Sequence, residues 1–164
     1  MMSEIEQRLQ ELGVTLPTRW HLPSGTLTGS ILVRVQGDRV FVGGHVPLDQ
    51  DGRVCGPFGK VGAQVSLEQA QEAARRAMLG MLASLKAELG NLDRIGSWLR
   101  LGGLVNTAPT FNEYPRVLNA ASKLLVDVFG EQRGSHARLA IGIAGLPWDV
   151  PVEIEAEVTL ATSV

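Results

Sequence analysis

The sequence predicts an α+β sandwich in a single domain, and three observations carry that reading. Two stretches longer than fifteen residues, ending at Gly90 and Gly130, repeat apolar residues at helical spacing. About five short stretches alternate apolar and polar residues as strands do, mostly in neighbouring pairs. With 164 residues, the chain has room for one domain with a substantial core and not for two ordinary ones. Two long helices and a few paired strands satisfy each other most simply when both helices pack on one sheet face.

In chain order, Ser3-Glu4-Ile5-Glu6 has the form of a capping box, and Ile5, Leu9 and Leu12 then recur on one face before Gly13. This is a short N-terminal helix. Pro17 and Pro23 make the following stretch an irregular connector, so residues 1–28 form a helix and a linker ahead of the main body. Ile31–Val35 and Arg39–Val42 flank Gly37-Asp38 and predict a β-hairpin. Gly43-Gly44-His45 closes its second strand, where glycines permit close approach by a backbone or a ligand. The loop over 49–62 holds Gly56, Gly59 and Gly62 around Lys60, yet neither G-x-x-x-x-G-K-[ST] nor G-x-G-x-x-G is present, and it reads as an ordinary loop.

Ser66-Leu67-Glu68-Gln69 is a second capping box and opens the longest helix, which runs to Leu89 with Gly90 as its C-cap. Its stripe of Ala70, Ala74, Ala77, Met81, Leu85 and Leu89 suits close packing on a sheet. A third strand spans about Ser97–Asn106, and Pro115 starts a helix that Gly130 stops. Two alternating strands finish the chain, 136–144 and 152–160, joined through Gly145-Leu146-Pro147-Trp148-Asp149-Val150-Pro151 and read as an antiparallel pair. The order is α-β-β-α-β-α-β-β. In the first of these last strands Leu139, Ile141 and Ile143 share one parity. The other carries Arg138 followed by Ala140, Gly142 and Ala144, small residues that leave room for another chain or a small ligand.

Composition excludes several function classes. A formal net charge of −2 gives no electrostatic reason to expect nucleic acid or an anionic membrane. Three Trp, four Phe and one Tyr supply a base-stacking platform poorly. Cys55 is alone, so there is neither an internal disulfide nor a cysteine-based zinc cluster, and the thiol reads as inert. His21, His45 and His136 lie in separate segments and form no metal pattern; His45 and His136 are candidates for the edge of a pocket. No apolar run approaches the ~20 residues of a membrane span, and the acidic N-terminus is unlike a signal peptide. The expectation is a soluble, cytoplasmic domain without metal or cofactor.

His136-Ala137-Arg138, Leu146-Pro147 and Val152-Glu153-Ile154-Glu155-Ala156 together resemble the C-terminal signature of the reactive-intermediate deaminase (Rid, YjgF-like) family. The stretch Asn119-Ala-Ala-Ser-Lys-Leu-Leu-Val-Asp-Val-Phe-Gly is similar to the longer, endoribonuclease L-PSP-like branch, and the resemblance runs from about Gly37 to Val158. It implies a chorismate-mutase-like sandwich with a mixed sheet, assembled as a homotrimer through the sheets. It also implies hydrolysis of 2-aminoacrylate-type 2-imino acids to 2-keto acids and ammonia. A non-catalytic trimer that binds a small carboxylate is the alternative within the same family, and a ribonuclease comes third.

By that resemblance Arg138 holds the substrate carboxylate, Glu153 serves the attacking water, and Glu155 is a second, non-catalytic acid. The substrate-binding set is Asn119, Gly43, Gly44, His45 and Ala140. Where the family has a tyrosine this chain has Ser30 or a neighbour, where it reads Ser-Gly-Gln this one has Gly43-Gly44-His45, and a frequent cysteine is Ala140. From the residue alone, Arg138 offers a planar fork suited to two carboxylate oxygens, or to an acid at the strand end. Counted along a hairpin centred near Trp148, Arg138 stands about six residues, or roughly 20 Å, from the level of Glu153. A pocket containing both then has to lie between subunits.

Overall fold

The computed structural model describes residues 3–26 and 28–162. Met1, Met2, Ser163 and Val164 at the ends of the predicted domain, and Leu27 in its connector, lie outside the described residues. The elements are α1 (Glu4–Glu11), β1 (Val33–Gln36), β2 (Arg39–His45), α2 (Leu67–Leu89), β3 (Ile95–Asn106), α3 (Tyr114–Gly134), β4 (Ala137–Ile143) and β5 (Val152–Leu160). Their order is the predicted one, and both capping boxes form, Ser3 with Glu6 and Ser66 with Gln69. Strands shift at their ends: β1 begins two residues later than expected, and β2 continues through the glycines to His45. Gly130, at φ +73°, interrupts α3, after which the chain makes a last turn to Gly134.

The five strands form one mixed sheet in the order β1-β2-β5-β3-β4. Only β3 and β4 run parallel. This corrects the predicted pairing at the C-terminus. β4 and β5 are not a hairpin, because β3 lies between them and bonds to both. The helix α3 is the crossover that lets β4 lie parallel to β3, and the long connection from Ile143 to Val152 carries the chain back across β3.

The register is therefore also corrected. Leu101 pairs with both Arg138 and Ala156, and Leu104 with both Ile141 and Glu153. Arg138 is three residues and two strands from Glu153, about 10 Å along and about 10 Å across the sheet.

One face of the sheet carries α2 and α3. Val152, Ile154, Ala156 and Val158 of β5 are buried there with Ala70, Ala74, Ala77, Met81 and Leu85 of α2 and Leu118, Ala121 and Leu125 of α3. Alanines on α2 keep its axis close to the strands, as their spacing predicted. The small parity of β4 belongs to this face, against the expectation that it stands open. Ala140 packs on the core, and a Cβ on Gly142 would come within 2.6 Å of the Tyr114 ring. The helix fills the room those small residues leave. Arg138, on the edge strand, is only partly buried.

The opposite face has no covering layer among the described residues. Glu153, Glu155 and Glu157 stand on it, with Leu104 and Ile141 level with Glu153, Gly102 and Leu139 level with Glu155, and Phe41 beside Glu157. Phe41, Leu139 and Ile141 are 43%, 46% and 39% exposed.

Candidate functional site

Arg138 is held by α3 through neutral acceptors alone. Nη1 donates to Asn119 Oδ1 at 3.1 Å and to Ser122 Oγ at 3.0 Å, and Nη2 donates to the Pro115 carbonyl at 3.1 Å. These positions follow from helix geometry: Pro115, Asn119 and Ser122, at i, i+4 and i+7, lie on one stripe of α3, facing the edge strand. A guanidinium has five N–H donors. Three are spent here, which leaves Nε–H and one N–H of Nη2, on adjacent nitrogens, without a partner among the described residues. Asn119 spends its carbonyl oxygen on Arg138 and keeps its amide N–H groups beside the guanidinium. Partial burial pulls the guanidinium below its ordinary pKa, as removal from water does for a cation with no anionic partner. The result is a fixed positive charge with a free fork.

The three outward carboxylates of β5 are not equivalent. Glu157 pairs with Arg39, and Glu155 pairs with Arg100 at 3.1 Å. Glu153 has no cation among the described residues, is half-buried, and has its pKa raised, first by burial and then by the neighbouring charge of Glu155. Its place depends on a bulge in β2. Val42 pairs with Ala156 and His45 with Ile154, so Gly43 and Gly44 together face one residue of β5. A Cβ on Gly44 would lie 1.7 Å from Glu153 Oε1, whereas one on Gly43 would meet nothing closer than 3.6 Å. Glycine at 44 makes the seat of the carboxylate. The carboxylate touches β2, and nothing of this seat reaches Arg138, which lies under the other face of the sheet.

His45 departs from its predicted role. It is 0% exposed, with Nδ1 at 2.8 Å from the Gly43 carbonyl and Nε2 at 2.9 Å from Ser84 Oγ on α2. Burial lowers its pKa from 6.5 to about 4. Both ring nitrogens are committed inside the core, beside the Trp20 ring, and cannot reach a ligand. His136 does lie next to the site: its Nε2 is 2.9 Å from Ser122 Oγ and its Nδ1 is 2.7 Å from the Gly134 carbonyl. Ser122 was not among the predicted site residues. Its i+3 spacing from Asn119 on the same helix face is the signal that finds it. Lys60 is not part of a phosphate cradle, for its ammonium is tied to Asn106 Oδ1 at 2.8 Å and to the Ala144 carbonyl, bracing the loop against the end of β3. Among the described residues no group of three His, Cys, Asp or Glu side chains could hold a metal, and no helix is long and apolar enough to cross a membrane.

A mixed five-stranded sheet with two long helices on one face is the chorismate-mutase-like architecture that the C-terminal signature implied. The chain belongs to the family described as "YjgF/chorismate mutase-like, putative endoribonuclease", whose pattern matches residues 7–153. Protein TCP17 of Trypanosoma cruzi is 35% identical over 156 residues, 95% of this chain and 94% of that one. Among solved structures, protein Atu1372 of Agrobacterium tumefaciens has a TM-score of 0.85 at 37% identity, covering 96% of this chain and 93% of its own. A Shewanella oneidensis protein carrying the same endoribonuclease label also reaches 0.85, at 29% identity over 95% of this chain and 99% of its own. Escherichia coli TdcF, solved with bound serine, shares the fold at a TM-score of 0.60 and 18% identity, over 90% and 96% of the two chains.

Proposed function

We propose that this protein is a cytoplasmic, hydrolytic deaminase of 2-imino acids, working without a cofactor at sites shared between subunits of a homotrimer. One observation carries the reading. Among the described residues there is a guanidinium with two unspent donors and a carboxylate with no cation, on opposite faces of one sheet and too far apart to meet. Each is what the other lacks, and a neighbouring copy can supply it. Exposed Phe41, Leu139 and Ile141, on the same sheet face as Glu153, are the kind of surface that another copy covers.

In the proposed reaction Arg138, with the Asn119 amide beside it, holds the substrate carboxylate in a two-pronged grip. Backbone groups near Gly44 and Ala140 border the reacting carbon. Water adds to the C=N carbon of the imine while Glu153 of a neighbouring copy takes its proton. The same carboxyl then returns the proton to nitrogen. The carbinolamine then collapses: its hydroxyl proton passes to nitrogen, the C–N bond breaks as the C=O bond forms, and the products are a 2-keto acid and ammonia. A carboxylate whose pKa is lifted toward neutrality is the better proton carrier, and such general acid–base help is worth about 10²–10⁴-fold. A ribonuclease reading has less support, since net charge is −2 and His45 is sealed in the core.

The test generates 2-iminopropionate with a serine dehydratase and follows its disappearance with and without this protein. Acceleration is expected, lost in Arg138→Ala and in Glu153→Gln. Arg138→Lys should bind pyruvate more weakly, because it keeps the charge and loses the fork. Chains carrying Arg138→Ala and Glu153→Gln, mixed after gentle dissociation, should regain part of the activity. If mixed oligomers form and stay inactive, the shared site is wrong. With no thiol at Ala140 and His45 buried, Glu153 is the one acid–base group left of the predicted catalytic and substrate-binding set, and this favours a second reading. A protein that binds pyruvate but leaves the imine lifetime unchanged is a non-catalytic carboxylate-binding trimer.

A further inference from the structure

We propose that Ser122 and His136 are positioning residues for Arg138, forming with the Gly134 carbonyl a one-way relay of hydrogen bonds that sets the direction of the guanidinium fork. The proposal deepens the reading of Arg138 as a carboxylate grip and rests on it only for the ligand.

The relay is fixed from its far end. Gly134 is wedged against the middle of its own helix, where a Cβ would lie 2.6 Å from the Leu125 carbonyl oxygen. Its own carbonyl, 2.7 Å from His136 Nδ1, can only accept. In its neutral form His136 therefore carries its hydrogen on Nδ1 and presents Nε2 as an acceptor. Ser122 Oγ, at 2.9 Å, must donate to that nitrogen. With its one hydrogen spent, the hydroxyl offers only lone pairs on its other side, where Arg138 Nη1 stands at 3.0 Å. With a neutral imidazole the polarity of every link is set, from a helix end to the cation.

The consequence is steric as well as electrostatic. Asn119 and Ser122 take both hydrogens of Nη1, so the guanidinium cannot turn about its long axis without losing two bonds. Pro115 fixes one hydrogen of Nη2. The unspent donors are then held in one direction, which lowers the ordering cost when a carboxylate arrives. A serine rotor without His136 would sample other orientations, some with its hydrogen toward Nη1.

Nitrogen-detected NMR on the labelled full-length protein tests the relay without any ligand, with His136→Gln and Arg138→Lys spectra assigning the signals. At pH 7.5 His136 is expected as the neutral Nδ1–H tautomer. Slow rotation of the Arg138 Nη groups is expected in the wild type and should be lost in Ser122→Ala and in His136→Phe. Pyruvate titration should show about fivefold weaker binding in each variant, as for the loss of one ordinary hydrogen bond. The double variant should be no weaker than Ser122→Ala, and Ser122→Thr should restore wild-type binding.

An imidazolium, the Nε2–H tautomer, or Nη rotation unaffected by both substitutions overturns the relay. If Ser122→Ala does not fold, the tautomer and the His136→Phe spectrum decide the matter. A wild type with the expected tautomer and restrained guanidinium that binds no pyruvate leaves the relay standing and removes the carboxylate reading instead.

Discussion

Arg138 and Glu153 sit in opposite kinds of surroundings, and the difference separates a site from a surface. Around Arg138, every bond comes from a neutral oxygen on α3, so the cation is oriented while its charge stays available. Around Glu153 there is a glycine seat, partial burial and a like charge, so the anion is positioned and its proton affinity rises. Their neighbours in sequence show the ordinary outcome. Glu155 and Glu157 take Arg100 and Arg39 as partners and become partly exposed ion pairs of small energetic consequence. Arg138 and Glu153 are left without a counter-ion among the described residues, on opposite faces of that sheet, and this pair motivates the proposed ligand and second copy.

The same contrast marks what the sequence makes legible. Helices α2 and α3, the caps of α2 and the order of elements are written in local periodicity, and the chain reproduces them, with a further turn of α3 beyond the predicted stop at Gly130. Strand partners are not local. The alternation in 136–144 and 152–160 predicts two strands correctly but is silent on β3 lying between them. A seven-residue connection with two prolines, longer than a tight hairpin turn, is the warning the sequence carries. Ala140 and Gly142 looked like an open pocket because small residues mark space without saying what fills it, and here Tyr114 does. Arg138 and Asn119 do come together as the family resemblance implied. Gly44 is needed next to Glu153 for a reason the sequence could not show, namely a bulge in β2.

The largest expected effect concerns stability and bounds the pH range in which the two charges can be compared. His45 has a pKa near 6.5 when unfolded and about 4 in the fold, so the unfolded chain binds its proton first as pH falls. Its contribution is complete above pH ~6.5 and is lost between there and about 4, a change of about 3 kcal/mol at ~1.4 kcal/mol per unit. Urea unfolding at pH 7 and at pH 4.5 should show the loss. His45→Gln, which cannot titrate, should flatten this part of the profile. An equal pH dependence in both proteins would show that His45 is not the group responsible.

A smaller effect, on rate alone, comes from the glycine pair. Gly44→Ala places a methyl where Glu153 Oε1 sits, and the flexible carboxylate gives way, so the fold should survive. A displacement near 1 Å in a catalytic group costs on the order of 10²-fold in rate. Gly43→Ala meets only ordinary contacts and should stay within about threefold of the wild type, a difference a single lost contact would exceed. Measured side by side in imine hydrolysis, the two alanines break the reading if they behave alike.

The smallest effect distinguishes Glu153 from its row. Glu155 is the second cause of the raised pKa of Glu153, after burial. Glu155→Gln removes that like charge and also leaves Arg100 without its partner, and both changes favour the ionised form of Glu153. The pKa of Glu153 should fall, though burial keeps it above the ordinary carboxylate value. Because the proposed base must be ionised to take a proton from water, the acid limb of kcat/KM should move to lower pH, with the plateau rate little changed. The measurement belongs above the pH at which His45 begins to destabilise the fold. Glu157→Gln, paired with Arg39 and one step further along the strand face, should leave the limb in place. An acid limb that moves with neither substitution belongs to some group other than Glu153. A limb that moves equally with both reports the summed charge of the sheet face, and Glu153 then has no special standing in it.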